Sequence, residues 1–252
     1  KPMVLSWTAP CDLAVVWSFR YLRRFGLDAI RRNHKRLLVF ERSYIHNRKA
    51  WVSAGYDGLN GYADFCNANV TGDRWDQLFK DCMQPWQTQP RSSTNYPVVL
   101  VIGQVPGDRS LRGLDPHMWC VDTADQLKRA GLNPMIRWHP KSKAAPPTHE
   151  FVEVSRATTL DQSMDDAQYV VTYNSNTAVD AVLRGVPAVT LDKGSMAYDV
   201  TGHDPLVFPP TPDRTRWAHR MAYTQWCMDD RGEHVNEVAN GDFWEHLKKG
   251  MQ

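Results

Sequence analysis

No stretch of this sequence is apolar for long enough to cross a bilayer. Its longest apolar runs, residues 97–103 and 168–172, are strand-sized, against the roughly 20 residues a membrane helix needs. The opening residues Lys1-Pro2-Met3-Val4-Leu5 meet polar side chains at once and lack the apolar segment of a secretory signal. A cytoplasmic protein with no membrane partner is therefore expected. The five cysteines, Cys11, Cys66, Cys82, Cys120 and Cys227, are odd in number, and no two form a Cys-x-x-Cys pair. That excludes a cysteine metal clamp and predicts reduced thiols. No two aspartates lie two positions apart, so the Asp-x-Asp metal clamp is missing too.

Net charge is also scarce, at +2, but it is unevenly placed: residues 20–49 hold ten Lys/Arg against only Asp28 and Glu41. Such a stretch suits an anionic partner or a solvated helix face. With 42% hydrophobic residues over 252 positions, the chain has enough apolar material for a full core. Residues 84–96, with Pro85, Pro90 and a Ser/Thr/Asn cluster, break the periodicity and read as a linker. They divide an N-terminal domain, 1–90, from a C-terminal domain, 91–252. In the first, residues 4–7 and 36–40 read as strands, and Val15, Phe19 and Leu22 as the buried face of a helix. In the second, strands at 98–102, 134–138, 169–173 and 188–191 alternate with helices near 118–130, 160–167 and 177–184. That alternation predicts an α/β fold of two Rossmann-like domains with parallel sheets and right-handed crossovers. Residues 213–230 read as one long helix, and 242–249 as a shorter one packing back.

Parallel sheets bind ligands at the carboxyl ends of their strands. Three strand ends in the second half carry polar residues: Gly103-Gln104-Val105-Pro106-Gly107-Asp108, Arg137-Trp138-His139-Pro140 and Asn174-Ser175-Asn176-Thr177. The last, small and polar before a helix start, predicts free N–H groups and a positive dipole end suited to phosphate. Arg137 and His139 add charge-assisted hydrogen bonds. A helix cap and a loop histidine are the plainer alternatives.

Those segments resemble bacterial capsule-polysaccharide Kdo transferases. That family shows a Gly-Gln-Val-x-x-Asp turn, a Lys/Arg-x-His-Pro strand end and a Ser/Thr-rich loop. A helix follows that here reads Ala181-Val182-Leu183-Arg184-Gly185-Val186-Pro187. Phe40-Glu41-Arg42-Ser43-Tyr44-Ile45, with Trp51 after it, is similar to the family's Phe-Glu-x-Gly-Tyr-Leu segment. The resemblance runs from about residue 38 to residue 199, in the family's order. It implies a GT-B-like glycosyltransferase, donor nucleotide on the His-Pro and Ser/Thr elements, and an acidic base near the Glu-x-Gly segment. Ser43 replaces the glycine and Asn174 to Thr177 replace a plainer Ser/Thr pair, so CMP-Kdo is not assumed as donor. The short chain suggests a pared-down, phage-encoded version.

Sugar transfer with inversion needs a base for the acceptor hydroxyl and partners for the departing phosphate. Glu41 is the expected base, with Asp12, in a loop after the first strand, and Asp57 in reserve. Gln104, Gly107, Asp108, Arg137, His139, Asn174, Ser175, Asn176 and Thr177 form the expected donor site. Met196 and Tyr198 either line the nucleotide pocket or pack in the core. Without Asp-x-Asp no metal or other cofactor is expected, and Asp165-Asp166 and Asp229-Asp230 read as exposed helix positions. The glycine- and aromatic-rich segment 51–65 reads as a loop stacking on a flat ligand, or as a packed hairpin. With the basic stretch it makes DNA carrying a hydroxymethylpyrimidine the expected acceptor, held by Arg31, Arg32, Tyr44, Trp51 and Tyr56. A capsule-type sugar is the acceptor implied by the resemblance alone. A sugar-nucleotide epimerase or hydrolase, and an inert nucleic-acid-binding module on the same fold, are the competing readings.

Overall fold

The computed structural model describes residues 11–18, 32–45, 50–90, 98–142, 152–227 and 241–251. The chain forms two compact units: residues 1–78 with 218–252, and residues 79–217. The division is discontinuous. Residues 79–90 pack with the second unit, whereas the sequence reading set one boundary after residue 90. Gln84 N–H donates to Leu183 O (2.7 Å) and Gln87 N–H to Gly185 O (2.8 Å), so the described part of the expected linker, residues 84–90, is pinned.

The first unit carries strands β1 (Cys11–Trp17), β2 (His34–Arg42), β3 (Trp51–Tyr56) and β9 (Gln225–Cys227), in the order β1-β2-β3-β9. Only β1 and β2 run parallel; β2–β3 and β3–β9 are antiparallel. Side chains alternate along β2. Leu37 and Val39 pack with Ala14 and Val16 on one face, and Leu38 packs with Val52, Ala54, Tyr56 and Trp226 on the other. Helix α1 (Asp73–Leu78) contributes Arg74, whose Nε donates to Ala222 O (2.8 Å) and Nη2 to Gln225 O (2.6 Å). Its guanidinium lies 4.3 Å from the centre of the Trp226 ring.

Three expectations are corrected in this unit. Val15 stands in β1, not on a helix, because the run 13–16 (Leu-Ala-Val-Val) pairs with β2 along its length. Asp12 belongs to the same strand rather than to a loop. The long helix at 213–230 is instead α5 (Thr215–Ala222), followed by β9 among the described residues, since Trp226 and Cys227 are taken into the sheet. The expected strand at 4–7, Phe19, Leu22, Arg31, Asp229 and Asp230 lie outside the described residues.

The second unit is a five-stranded parallel sheet: β4 (Val98–Ile102), β5 (Pro134–Arg137), β6 (Glu153–Val154), β7 (Ala167–Thr172) and β8 (Ala188–Thr190). Its order, β6-β5-β4-β7-β8, is that of a doubly wound Rossmann-type sheet. The first strand, β4, is central; the chain winds outward to β6, returns and continues through β7. Helix α2 (Pro116–Arg129) starts at Asp115, whose carboxylate accepts from His117 N (2.8 Å) and Met118 N (3.3 Å). It buries Cys120, Val121, Ala124 and Leu127, at helical spacing, against Val99, Val101, Ile136 and Val171. Helix α3 (Leu160–Asp165) opens on a Thr159–Gln162 capping box. Helix α4 (Thr177–Arg184) ends at Gly185, with φ 80°. A Cβ there would lie 1.9 Å from Pro85 O, so glycine is required twice over. Helix α6 (Phe243–Lys249) places Leu247 in the first unit's core.

Candidate functional site

In a sheet of this order the chain leaves the carboxyl ends of β4 and β7 in opposite directions, opening a crevice between their loops. Gln104 follows β4 and Asn174 follows β7, and the two are bonded to each other. Gln104 Nε2 donates to Asn174 Oδ1 (2.9 Å), and Asn174 N donates to Gln104 Oε1 (3.2 Å). Asn174 Nδ2 donates to Ser110 O (2.8 Å) and to Asp192 Oδ1 (2.9 Å). Asp192 also accepts from Gly194 N (2.9 Å) in the loop after β8. Asn174, 4% exposed, thus joins the loops after β4, β7 and β8 with both amide hydrogens engaged.

This changes the meaning of two expected ligand contacts. Gln104 and Asn174 are buried and directed at each other, so they shape the crevice floor rather than reach a ligand. Asp108 is likewise engaged, accepting from Ser110 N and Oγ (both 2.9 Å) at the start of the turn Arg109–Leu111. Gly107, with φ 78° and open space around its missing side chain, lets the loop turn ahead of it. Ser110 and Asp192 were missed by sequence reasoning; only their register beside Asn174 identifies them.

The N–H groups opening α4 are not free as expected. Ser175 N donates to Thr172 Oγ1 (3.2 Å), Thr177 N to Ser175 Oγ (3.2 Å), and Ala178 N to Ser175 O (3.0 Å). Within the turn Ser175 Oγ donates to Thr177 Oγ1 (3.1 Å), linking its two hydroxyls. Asn176 occupies the N-cap position in helical conformation without a side-chain cap bond.

Arg137 ends β5, but Nη1 donates to Ala157 O (2.9 Å) and Ser163 Oγ (2.7 Å), and burial lowers its pKa. Both partners follow β6, so one guanidinium nitrogen of Arg137 is committed to holding that edge of the sheet. His139 Nδ1 accepts from Lys141 N (3.1 Å), so a neutral ring carries its hydrogen on Nε2. The turn is held from α2 by His117, whose Nε2 lies 3.0 Å from Ser142 Oγ and whose ring meets Trp138 edge-on. Met196 is half-buried and its carbonyl accepts from Trp217 Nε1 (2.9 Å); Tyr198 stacks on His203 at 3.8 Å.

In the first unit, Glu41 lies opposite Ser53 across the β2–β3 pair, on the same face. Ser53 Oγ donates to Tyr44 OH (3.4 Å), which donates to Asn60 Oδ1 (3.1 Å). The reserve bases are committed elsewhere. Asp12 pairs with Lys35 (2.7 Å), whose hydrogen bond and charge lower its pKa. Asp57 accepts from Leu37 N (2.8 Å) and pairs with Arg36 (2.6 Å), at the end of the β2–β3 pair away from their connection. The aromatic stacking loop is also corrected. Trp51 and Tyr56 belong to β3 and are 8% and 1% exposed, and Tyr44 is equally buried. Their apolar rings complete a small sheet's core instead of offering a platform. Tyr44 N and Ile45 N both donate to Gln225 Oε1 (2.8 Å each), a buried anchor invisible to sequence periodicity. Arg32 is exposed.

The fold is α/β and GT-B-like, with a Rossmann-type parallel sheet in the second unit, while the described sheet of the first unit is mixed where a parallel one was expected. The fold is similar to solved structures of KpsC from Thermosulfurimonas dismutans. Its beta Kdo 2,4 transferase aligns with TM-score 0.59 and 14% identity, over 83% of this chain and 78% of that one. Its beta Kdo 2,7 transferase aligns with TM-score 0.60 and 12% identity, over 91% and 85%. No family model and no curated protein matches the sequence. The resemblance carried by the motifs therefore holds at the level of fold. Among the described residues no helix is long and apolar enough to cross a membrane.

Proposed function

We propose that the chain is a nucleotide-sugar-dependent glycosyltransferase whose donor lies at the carboxyl ends of β4 and β7. The observation that carries this reading is the braced switch point, where Asn174 ties together the loops after β4, β7 and β8 next to the hydroxyls of Ser175 and Thr177. Thr177 and His139 Nε2–H would donate to the departing nucleotide phosphate, which needs hydrogen-bond donors as its charge develops. Glu41 is the proposed base, taking the acceptor proton as oxygen attacks the anomeric carbon with inversion. The reaction is proposed to need no metal.

The proposed acceptor is a hydroxymethylpyrimidine in DNA. It is supported by the basic composition of residues 20–49, where a cationic surface would neutralise phosphates. The buried rings of Tyr44, Trp51 and Tyr56 take no part in it. Incubation with UDP-, GDP- and CMP-sugars and hydroxymethylated duplex, with and without EDTA, followed by nucleoside mass spectrometry, is the test. A sugar mass on the modified base in EDTA is expected. Extension of an oligosaccharide alone would replace the DNA acceptor by a capsule-type one, and free sugar without any acceptor would indicate a hydrolase. Nucleotide binding without turnover would leave an inert binding module.

A further inference from the structure

Arg137 Nη1 is committed to residues that follow β6, and the loop after β4 carries two further cations beside the switch point. Arg109 and Arg112 bracket a single 3-10 turn closed by Arg112 N donating to Arg109 O (3.3 Å), so their stems leave the chain one turn apart. Both are exposed. The turn is immobilised from within: Leu111 is buried, and Ser110 O accepts from Asn174 Nδ2 at the end of β7 (2.8 Å). Arg112 holds φ 52°, a left-handed conformation costly for a side chain with a Cβ, and Gly113 follows at φ 94°.

We propose that Arg109 and Arg112 are the phosphate-receiving cations of the donor site and that the donor is a nucleoside-diphosphate sugar; this rests on the glycosyltransferase reading. Two guanidinium groups one turn apart match two linked phosphates, each able to accept a bidentate pair. A monophosphate donor would leave one cation idle. Placement beside the crevice is supported by Tyr173, the residue after β7. Burial and then the Asp192 carboxylate raise its pKa, while the charge of Arg112 draws it down, so Arg112 lies within electrostatic reach of the loop after β7.

Calorimetry of UDP, UMP, GDP, GMP, CDP and CMP against the 252-residue chain tests the proposal. At least one diphosphate is expected to bind about tenfold tighter than its monophosphate, as one added charge-assisted contact would give. R112Q should weaken both ligands of that pair, and R109Q should remove only the diphosphate advantage. Monophosphate binding as tight as diphosphate binding, or unchanged affinity in R112Q, overturns the proposal while leaving a nucleotide site in place. Failure of all six ligands with the wild-type chain overturns the donor-site reading and this inference together.

Discussion

The two units use buried polar groups for opposite ends. In the first, Arg74, Gln225 and His246 are buried and hold distant segments of chain together: Arg74 and Gln225 grip residues 222–225 and 44–45, and His246 Nε2 donates to Phe65 O (2.7 Å). In the second, buried Gln104 and Asn174 meet the half-buried Asp192 at the carboxyl ends of the strands. A mixed sheet with a discontinuous chain needs polar clasps to close. A doubly wound parallel sheet closes through its helices and leaves a polar crevice at its switch point.

The largest effect expected is on chemistry. Glu41→Gln should lower transfer by on the order of 10²–10⁴ while nucleotide affinity, measured by calorimetry, stays unchanged. Near-normal turnover would break the comparison, because the acidic strand end of the first unit would then have no catalytic part.

Next in size is the clasp itself. Arg74 is buried, its pKa drawn down to about 10 by desolvation against the charge of Asp242. Arg74→Met would leave two buried carbonyls without donors and should cost about 3 kcal/mol in urea denaturation. A loss below about 1 kcal/mol would show that the bonds to Ala222 and Gln225 are dispensable.

The smallest effect is one of pH. Burial lowers the His246 pKa from 6.5, and its Nδ1 is buried without a hydrogen-bond partner. Because the folded pKa is depressed, stability is fully present above the unfolded value and declines as pH falls below about 6.5. Hydrogen exchange between pH 7 and 5 should therefore rise in β2 and β3 ahead of β4 and β7, and His246→Gln should abolish the difference. Parallel loss in both units would remove this asymmetry.

Much of the second unit was legible before folding. Helix 177–184 ends at Gly185 as read, because a left-handed C-cap needs no tertiary information. Strands of unbroken Val, Leu and Ile such as 98–102 are buried on both faces, as parallel sheets require. The polar strand ends were legible by position, but not the hydrogen bonds they make. Asn174 looked like a phosphate contact because small polar residues before a helix have that property locally, and only its bonds to Gln104, Ser110 and Asp192 convert it into a brace.

The sequence by itself therefore determined the alternation of strands and helices in the second unit, the strand ends that meet there and the acidic strand end at Glu41. Each rests on spacing within about ten residues. Tertiary structure alone decided that Val15 and Trp226 enter a sheet, that Trp51 and Tyr56 fill a core, and that Arg137 Nη1 bonds Ala157 and Ser163. Those outcomes depend on partners far away in sequence, such as Gln225 for Tyr44 or Ser163 for Arg137, and no local pattern encodes which buried hydrogen bond a polar side chain will complete.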